Sequence, residues 1–192
     1  MRPPGKCILG GRSTYLCNPM RYSYPSLFTL NSSAKTLLDL GCGQGFVALY
    51  AAARGLQVDA VDVETETPSS IQEIPNIIYL VADLKAWLPT KTYDIITAHH
   101  SLQFLPKAYV LERFLPNLCE ALNPRGILEI FTFTPEETLD VPTKYTLEEV
   151  TSALTGVDII KQRTFSYDAM HRKIGAHTFH ELQVIGRKKD LS

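Results

Sequence analysis

The chain is short of several things, and each shortage removes a class of protein. No apolar run approaches the roughly 20 residues that a membrane-spanning helix needs, so no membrane partner is expected. The opening MRPPGKCILGGRSTYLC has no continuous apolar run ahead of a small-residue cleavage site, which argues against a secretory signal. Cysteine is scarce and scattered: Cys7, Cys17, Cys42 and Cys119 form neither a CxxC pair nor a zinc-like group, and they read as free thiols of a cytoplasmic protein. Five histidines with scattered carboxylates show no zinc spacing, so no metal is expected. Charge of one sign is missing too. With 19 basic and 20 acidic side chains the formal charge is -1, which leaves no overall field to draw in nucleic acid or an acidic surface. There is no internal repeat and no low-complexity segment.

What the chain does have is the stretch TLLDLGCGQGFVALY, Thr36 to Tyr50. An apolar strand pattern runs into a glycine-rich turn and then into a helix opening. That order lets a ligand reach backbone at the carboxyl end of a parallel sheet, and a nucleotide-like ligand is the leading expectation. Gly41 and Gly43 can take positive φ, and Gly45 permits close packing. Asp39 stands out in an apolar strand, where its carboxylate can bond the turn or a cationic group. No Lys-Ser/Thr follows the glycines, so the triphosphate loop is absent, and GxGxG replaces the dinucleotide fingerprint GxGxxG.

The string DLGCGQG resembles the first motif of the class I methyltransferases that use S-adenosylmethionine. The likeness continues through VDAVDVE (Val58 to Glu64), LVADL (Leu80 to Leu84), YDIITAHHSLQFL (Tyr93 to Leu105) and ALNPRGILEIF (Ala121 to Phe131). Within that superfamily the small tellurite-resistance-type branch is most similar. The resemblance implies an α/β fold: a Rossmann-like three-layer sandwich with a mostly parallel seven-stranded sheet and one antiparallel strand.

Along the chain, residues 1–33 form an amino-terminal segment that either covers the site as a lid or packs on the surface, and 34–192 form a single domain. Strands are expected at Thr36 to Leu40, Leu56 to Val61, Ile77 to Val81, Tyr93 to Ala98 and Ile127 to Phe133, with NPRG a turn before the last. VETETPSSIQEIP can hold only a short helix. A helix over about Lys107 to Leu122 is interrupted by Pro116, as a kink or as two helices meeting. The polar TPEETLDVPTKY suits a mobile loop over a site, and TLEE is a partial capping box before a helix to about Leu154. Val157 to Phe165 and Glu181 to Arg187 are late strands that should pair antiparallel across a polar, exposed connection.

For the site, the resemblance implies S-adenosylmethionine as cofactor, held by Asp39, Gly41, Cys42, Gly43, Asp62, Val63, Asp83, Leu84 and His99. Gly41 and Gly43 would meet the amino acid and ribose portion through backbone. Asp62, at a strand end, can accept both ribose hydroxyls, with Glu64 as competitor. Asp83 would accept from the adenine amino group, with Leu84 backbone beside it. Histidine can act as a base near neutral pH, and His99 and His100 are the catalytic candidates. Adjacent residues at a strand end diverge, so one of the two should face the pocket. Tyr22, Tyr24, Phe104 and Arg172 are candidate acceptor contacts. His171, His177 and His180 read as a surface cluster.

The expected function is in-line methyl transfer to a small-molecule acceptor. A protein that binds S-adenosylmethionine without strong catalysis, serving interaction, is the alternative, because a fold does not prove chemistry.

Overall fold

The computed structural model describes residues 24–171 and 175–190; the side chains of residues 24–26 and 171 are not described. Helix α1 is Tyr24–Leu30 and helix α2 Phe46–Ala52. Strands β1 to β4 are Thr36–Leu40, Gln57–Asp62, Ile77–Val81 and Tyr93–His99. A 3-10 turn at Leu102–Phe104 leads into α3 (Lys107–Tyr109), a π-helical segment (Val110–Phe114) and α4 (Leu115–Glu120). Then come β5 (Leu122–Phe133), α5 (Leu147–Ala153), β6 (Val157–His171) and β7 (Gly175–Lys188).

The strands make one seven-stranded sheet in the order β3-β2-β1-β4-β5-β7-β6. The first five are parallel, and β7 runs antiparallel to both of its neighbours. The inner strands are apolar on both faces because helices cover both. On one face Leu38, Leu40, Ile96, Ala98, Leu128 and Ile130 pack under the helices of residues 107–153. On the other, Leu37, Ile95, Ile127, Phe131 and Ile185 meet Leu27 of α1 and Val47, Ala48 and Ala51 of α2. The amino-terminal ends of β1 and β4 are tied by Asp94, whose Oδ2 accepts from the Lys35 and Thr36 amides and the Thr36 hydroxyl. No helix among the described residues is long and apolar enough to cross a membrane.

Several local expectations change. Residues 63–76 hold turns and no helix. The helical run around Pro116 is made of abutting segments: the π-helical turn ends at Phe114 and α4 begins at Leu115, so the proline sits in the first turn of α4, where a missing N–H costs least. The NPRG turn lies inside β5 as a bulge, with Arg125 at φ 62 and the pairing skipping from Leu122 to Ile127. The Thr146 box is complete, since Glu149 returns the bond to the Thr146 amide. The exposed connection between the last strands is itself strand: the β6–β7 ladder continues to His171 and Gly175. Its alternation of polar and aromatic residues is that of a ribbon whose outer part projects past β5.

Candidate functional site

The bend after β1 is built by three left-handed glycines, Gly41 (φ 68), Gly43 (φ 52) and Gly45 (φ 73). Gly41 and Cys42 donate their amides to Val61 O, which folds the bend over the end of β2. A Cβ on Gly41 would lie 2.5 Å from Ser101 Cβ, and one on Gly45 would lie 2.6 Å from Ile71. At Gly43 nothing lies within 4 Å. Two glycines are therefore there for packing, and the third leaves bare, exposed backbone open to a ligand.

Asp39 lies under this bend, 2% exposed. Its Oδ1 accepts from the Thr97 hydroxyl at 3.0 Å, while Oδ2 is buried with no hydrogen-bond partner. Burial pushes the Asp39 carboxyl up to about 6, against the opposing pull of His99, Thr97 and the Ala48 amide. A buried carboxylate with one bare oxygen is costly for a fold to keep, and a cation beside it would remove that cost. Ser101 Oγ, next to Gly41, is a second buried polar atom without a partner. Burial, reinforced by Asp39 and Asp62, drives the Cys42 thiol up, so it stays protonated and is no nucleophile.

Asp62 ends β2 half-buried, and Gly43 donates to its Oδ2 at 2.7 Å while the Val63 amide donates to Oδ1 at 2.8 Å. Ala82, just past β3, donates to Asp62 O, so Asp83 follows beside it. Asp83 Oδ1 caps its own turn through the Lys85 amide, and Tyr109 donates to Leu84 O. Val63 is an apolar side chain left 61% exposed beside these carboxylates. Glu64, the competitor, has its carbonyl taken by the Tyr79 hydroxyl.

The two histidines do not diverge. His99 pairs through Nε2 with Glu129 Oε2 at 3.0 Å and meets Phe131 edge-on. His100 adopts a left-handed backbone, φ 53, and its ring lies against Phe133 with Nε2 3.6 Å from Glu181 Oε1. In the sheet register Phe131 faces Gln183 and Phe133 faces Glu181, so all these residues share one face, that of α1 and α2. The unusual φ turns the second ring back onto the side of the first. Burial, and then the charge of His99, lowers the His100 pKa to about 3 and keeps that ring neutral.

Three acidic residues that the sequence did not single out are buried on or beside this face: Glu129, Glu181 and Glu137. Tyr167 donates to Glu181 Oε1. Glu137 Oε1 takes the His177 ring and the Leu139 amide, and Oε2 takes the His180 amide. The segment expected to be mobile is thus tied to the ribbon, and His177 is an internal partner instead of a surface group. A single Glu inside ILEIFTF and another inside HELQVIG were the available signals, because a lone charge at an inward strand position needs a partner.

Of the candidate acceptor contacts, Phe104 is 43% exposed and lines an open groove of about 550 Å³ with Lys85, Lys107 and Lys144. Tyr24 begins α1, and Tyr22 and Arg172 lie outside the described residues. Among the described residues no three His, Cys, Asp or Glu side chains gather as a metal site.

Against known proteins, a family model described as a methyltransferase domain matches residues 15–171. A trans-aconitate 2-methyltransferase of Azoarcus is 36% identical over 100 residues, covering 50% of this chain and 38% of that protein. Its counterpart in Escherichia coli O139:H28 is 33% identical over 122 residues, covering 60% and 45%. The match thus spans less than half the length of either relative. Among solved structures, TehB from Haemophilus influenzae superposes with a TM-score of 0.73 at 20% identity, covering 86% of this chain and 61% of that one. The 1,6-didemethyltoxoflavin-N1-methyltransferase of Burkholderia thailandensis gives 0.66 at 21% identity, covering 90% and 79%. Both likenesses are of fold.

Proposed function

The chain belongs to the methyltransferase-domain family, and on that premise we propose that it transfers the methyl group of S-adenosylmethionine to a small-molecule acceptor. The observation that carries this reading is the bare, buried Oδ2 of Asp39 beneath an exposed glycine bend. The residues fit the cofactor. Asp39 suits the ammonium of its methionine end, and Gly41, Cys42 and Gly43 offer backbone along it. Asp62 suits the ribose hydroxyls, and Val63, Asp83 and Leu84 form an apolar and acidic rim for the adenine.

When bound, the cofactor supplies an electrophilic methyl group on a sulfonium. The chain's own part is to hold that end still and dry, and such positioning is worth roughly 7 to 11 kcal/mol in favourable reactions. His99 takes the acceptor's proton where one must leave. His100, held neutral, orients the acceptor by hydrogen bonding. Phe104 gives an apolar contact at the carboxyl end of the sheet, where loops after β3, β4 and β5 converge. A small acceptor agrees with the nearly balanced charge and with the names of the relatives. Free Cys42 and Cys119 support a cytoplasmic setting.

Calorimetric titration with S-adenosylmethionine, S-adenosylhomocysteine and a nicotinamide nucleotide tests the cofactor, and preference for the nicotinamide overturns the reading. A labelled-methyl screen over carboxylates, phenols, amines, thiols and selenols tests the reaction. Tight cofactor binding with no transfer to any class turns the protein into a non-catalytic binding module.

A further inference from the structure

A chain of hydrogen bonds crosses four strands on the α1 and α2 face and ends on His99. Arg163 Nε of β6 donates to Gln183 Oε1 of β7 at 2.8 Å. Gln183 Nε2 donates to Glu129 Oε1 of β5 at 2.7 Å. Glu129 Oε2 faces His99 Nε2 of β4 at 3.0 Å. Glu129 and Gln183 are both 0% exposed. The Arg163 and Gln183 donors both point toward Glu129, whose one oxygen accepts from Gln183 while the other meets the His99 ring nitrogen.

Stability alone gives no reason for this arrangement. Glu129 is surrounded along its strand by Ile127, Leu128, Ile130 and Phe131, and apolar residues of similar volume usually hold such a position as well or better. Orientation does give a reason. A carboxylate can only accept, so His99 must carry its proton on Nε2, and Nδ1 is left as the nitrogen with the lone pair. Phe131, edge-on at 4.8 Å and 87°, fixes the plane of the ring.

We propose that Glu129, anchored by Gln183 and Arg163, is a positioning residue that sets the tautomer and the angle of His99, so that Nδ1 is the atom that accepts a proton. This rests on the reading of His99 as the base in methyl transfer. Nothing in the primary structure pairs these residues, since His99 and Glu129 lie 30 positions apart.

The test uses the full chain with 15N-labelled histidine, the His99 signals being assigned from a His99→Asn spectrum. Wild type should show His99 protonated at Nε2. In Glu129→Gln the ring should become a mixture of tautomers. Turnover should fall at least tenfold, with KM for the acceptor and Kd for S-adenosylhomocysteine changing less than twofold. Glu129→Asp should restore part of the preference. Gln183→Met removes the far anchor without removing the carboxylate and should give a smaller shift of the same sign, which serves if Glu129→Gln does not fold. An unchanged His99 tautomer in these variants, or a loss seen wholly in cofactor Kd, overturns the proposal. Because the spectrum needs no acceptor, absence of methyl transfer in wild type counts against the proposed function and leaves the positioning result to stand by itself.

Discussion

Gly43 donates its amide to Asp62 Oδ2 at 2.7 Å, so the glycine bend and the carboxylate that ends β2 form one unit. Removing the carboxylate therefore has two consequences: the ribose loses its acceptor and the bend loses a brace. Asp62→Ala should raise Kd for S-adenosylhomocysteine at least tenfold, about 1.4 kcal/mol, while Asp62→Asn, which keeps one acceptor oxygen, should raise it less. Titration calorimetry checks both, and an unchanged Kd in the alanine variant would take Asp62 out of the cofactor site.

Gly41 and Gly43 share a left-handed backbone but not a neighbourhood. An alanine at 43 meets only the backbone penalty, about 1 to 2 kcal/mol. At 41 it also drives a methyl group to 2.5 Å from Ser101 Cβ, and overpacking adds a further 1 to 3 kcal/mol or so. Urea denaturation should rank Gly41→Ala well below Gly43→Ala in stability. Cofactor affinity should instead suffer at both, because the exposed face of Gly43 is the one a ligand approaches.

Asp39 sets stability against binding. Its carboxyl is raised from 3.8 to about 6 by burial. A raised acid favours the fold fully below its unfolded pKa, and that contribution is lost as pH rises through about 6; the difference is about 3 kcal/mol at 1.36 per unit. Asp39→Asn should thus melt at a higher temperature than wild type at pH 7 yet bind the cofactor more weakly. In wild type a cation at Oδ2 pulls the carboxyl back down, so binding releases a proton between about pH 4 and 6. Calorimetry in two buffers of different ionisation enthalpy should report that release, and affinity should fall as pH drops below 6.

Most of the frame was legible from patterns the chain displays locally. TLLDL, YDIITA and ILEIFTF are apolar runs ended by turn residues, and the glycine bend announces both the switch from strand to helix and the place where a ligand fits. What escaped depended on partners distant in sequence or on backbone states a side chain does not advertise. The ribbon of β6 and β7 reads as polar connection because its outward positions are polar, and only the aromatic ladder Phe165, Tyr167 and Phe179 shows its inner side. His100 was expected to point away from His99, as strand alternation requires, until its φ of 53 reversed it.

That reversal can be measured. Alanine at 100 loses the ring and keeps the left-handed strain; glycine loses the ring and relieves it. His100→Gly should be more stable than His100→Ala by about 1 kcal/mol, the opposite of the order expected in an ordinary strand. Equal stability of the two would mean that the backbone relaxes to a negative φ and that the rings no longer share a face.

Glu137 predicts how acid undoes the wall behind the histidines. Burial works to raise its carboxyl, but the His180 and Leu139 amides and the His177 ring outweigh that and hold it below the usual glutamate range. A lowered acid contributes stability above its unfolded pKa of 4.5 and loses it as pH falls through the folded value, so wild type should weaken below about pH 4.5 through this residue. Glu137→Gln still offers an acceptor to one amide but no charge to His177. It should unfold more easily at pH 7, by about 1 to 3 kcal/mol, and the gap from wild type should close as pH falls below 4.5. Urea midpoints measured from pH 7 to 3 on both proteins decide it: a constant gap would place the stabilisation in packing and remove the carboxylate from the account.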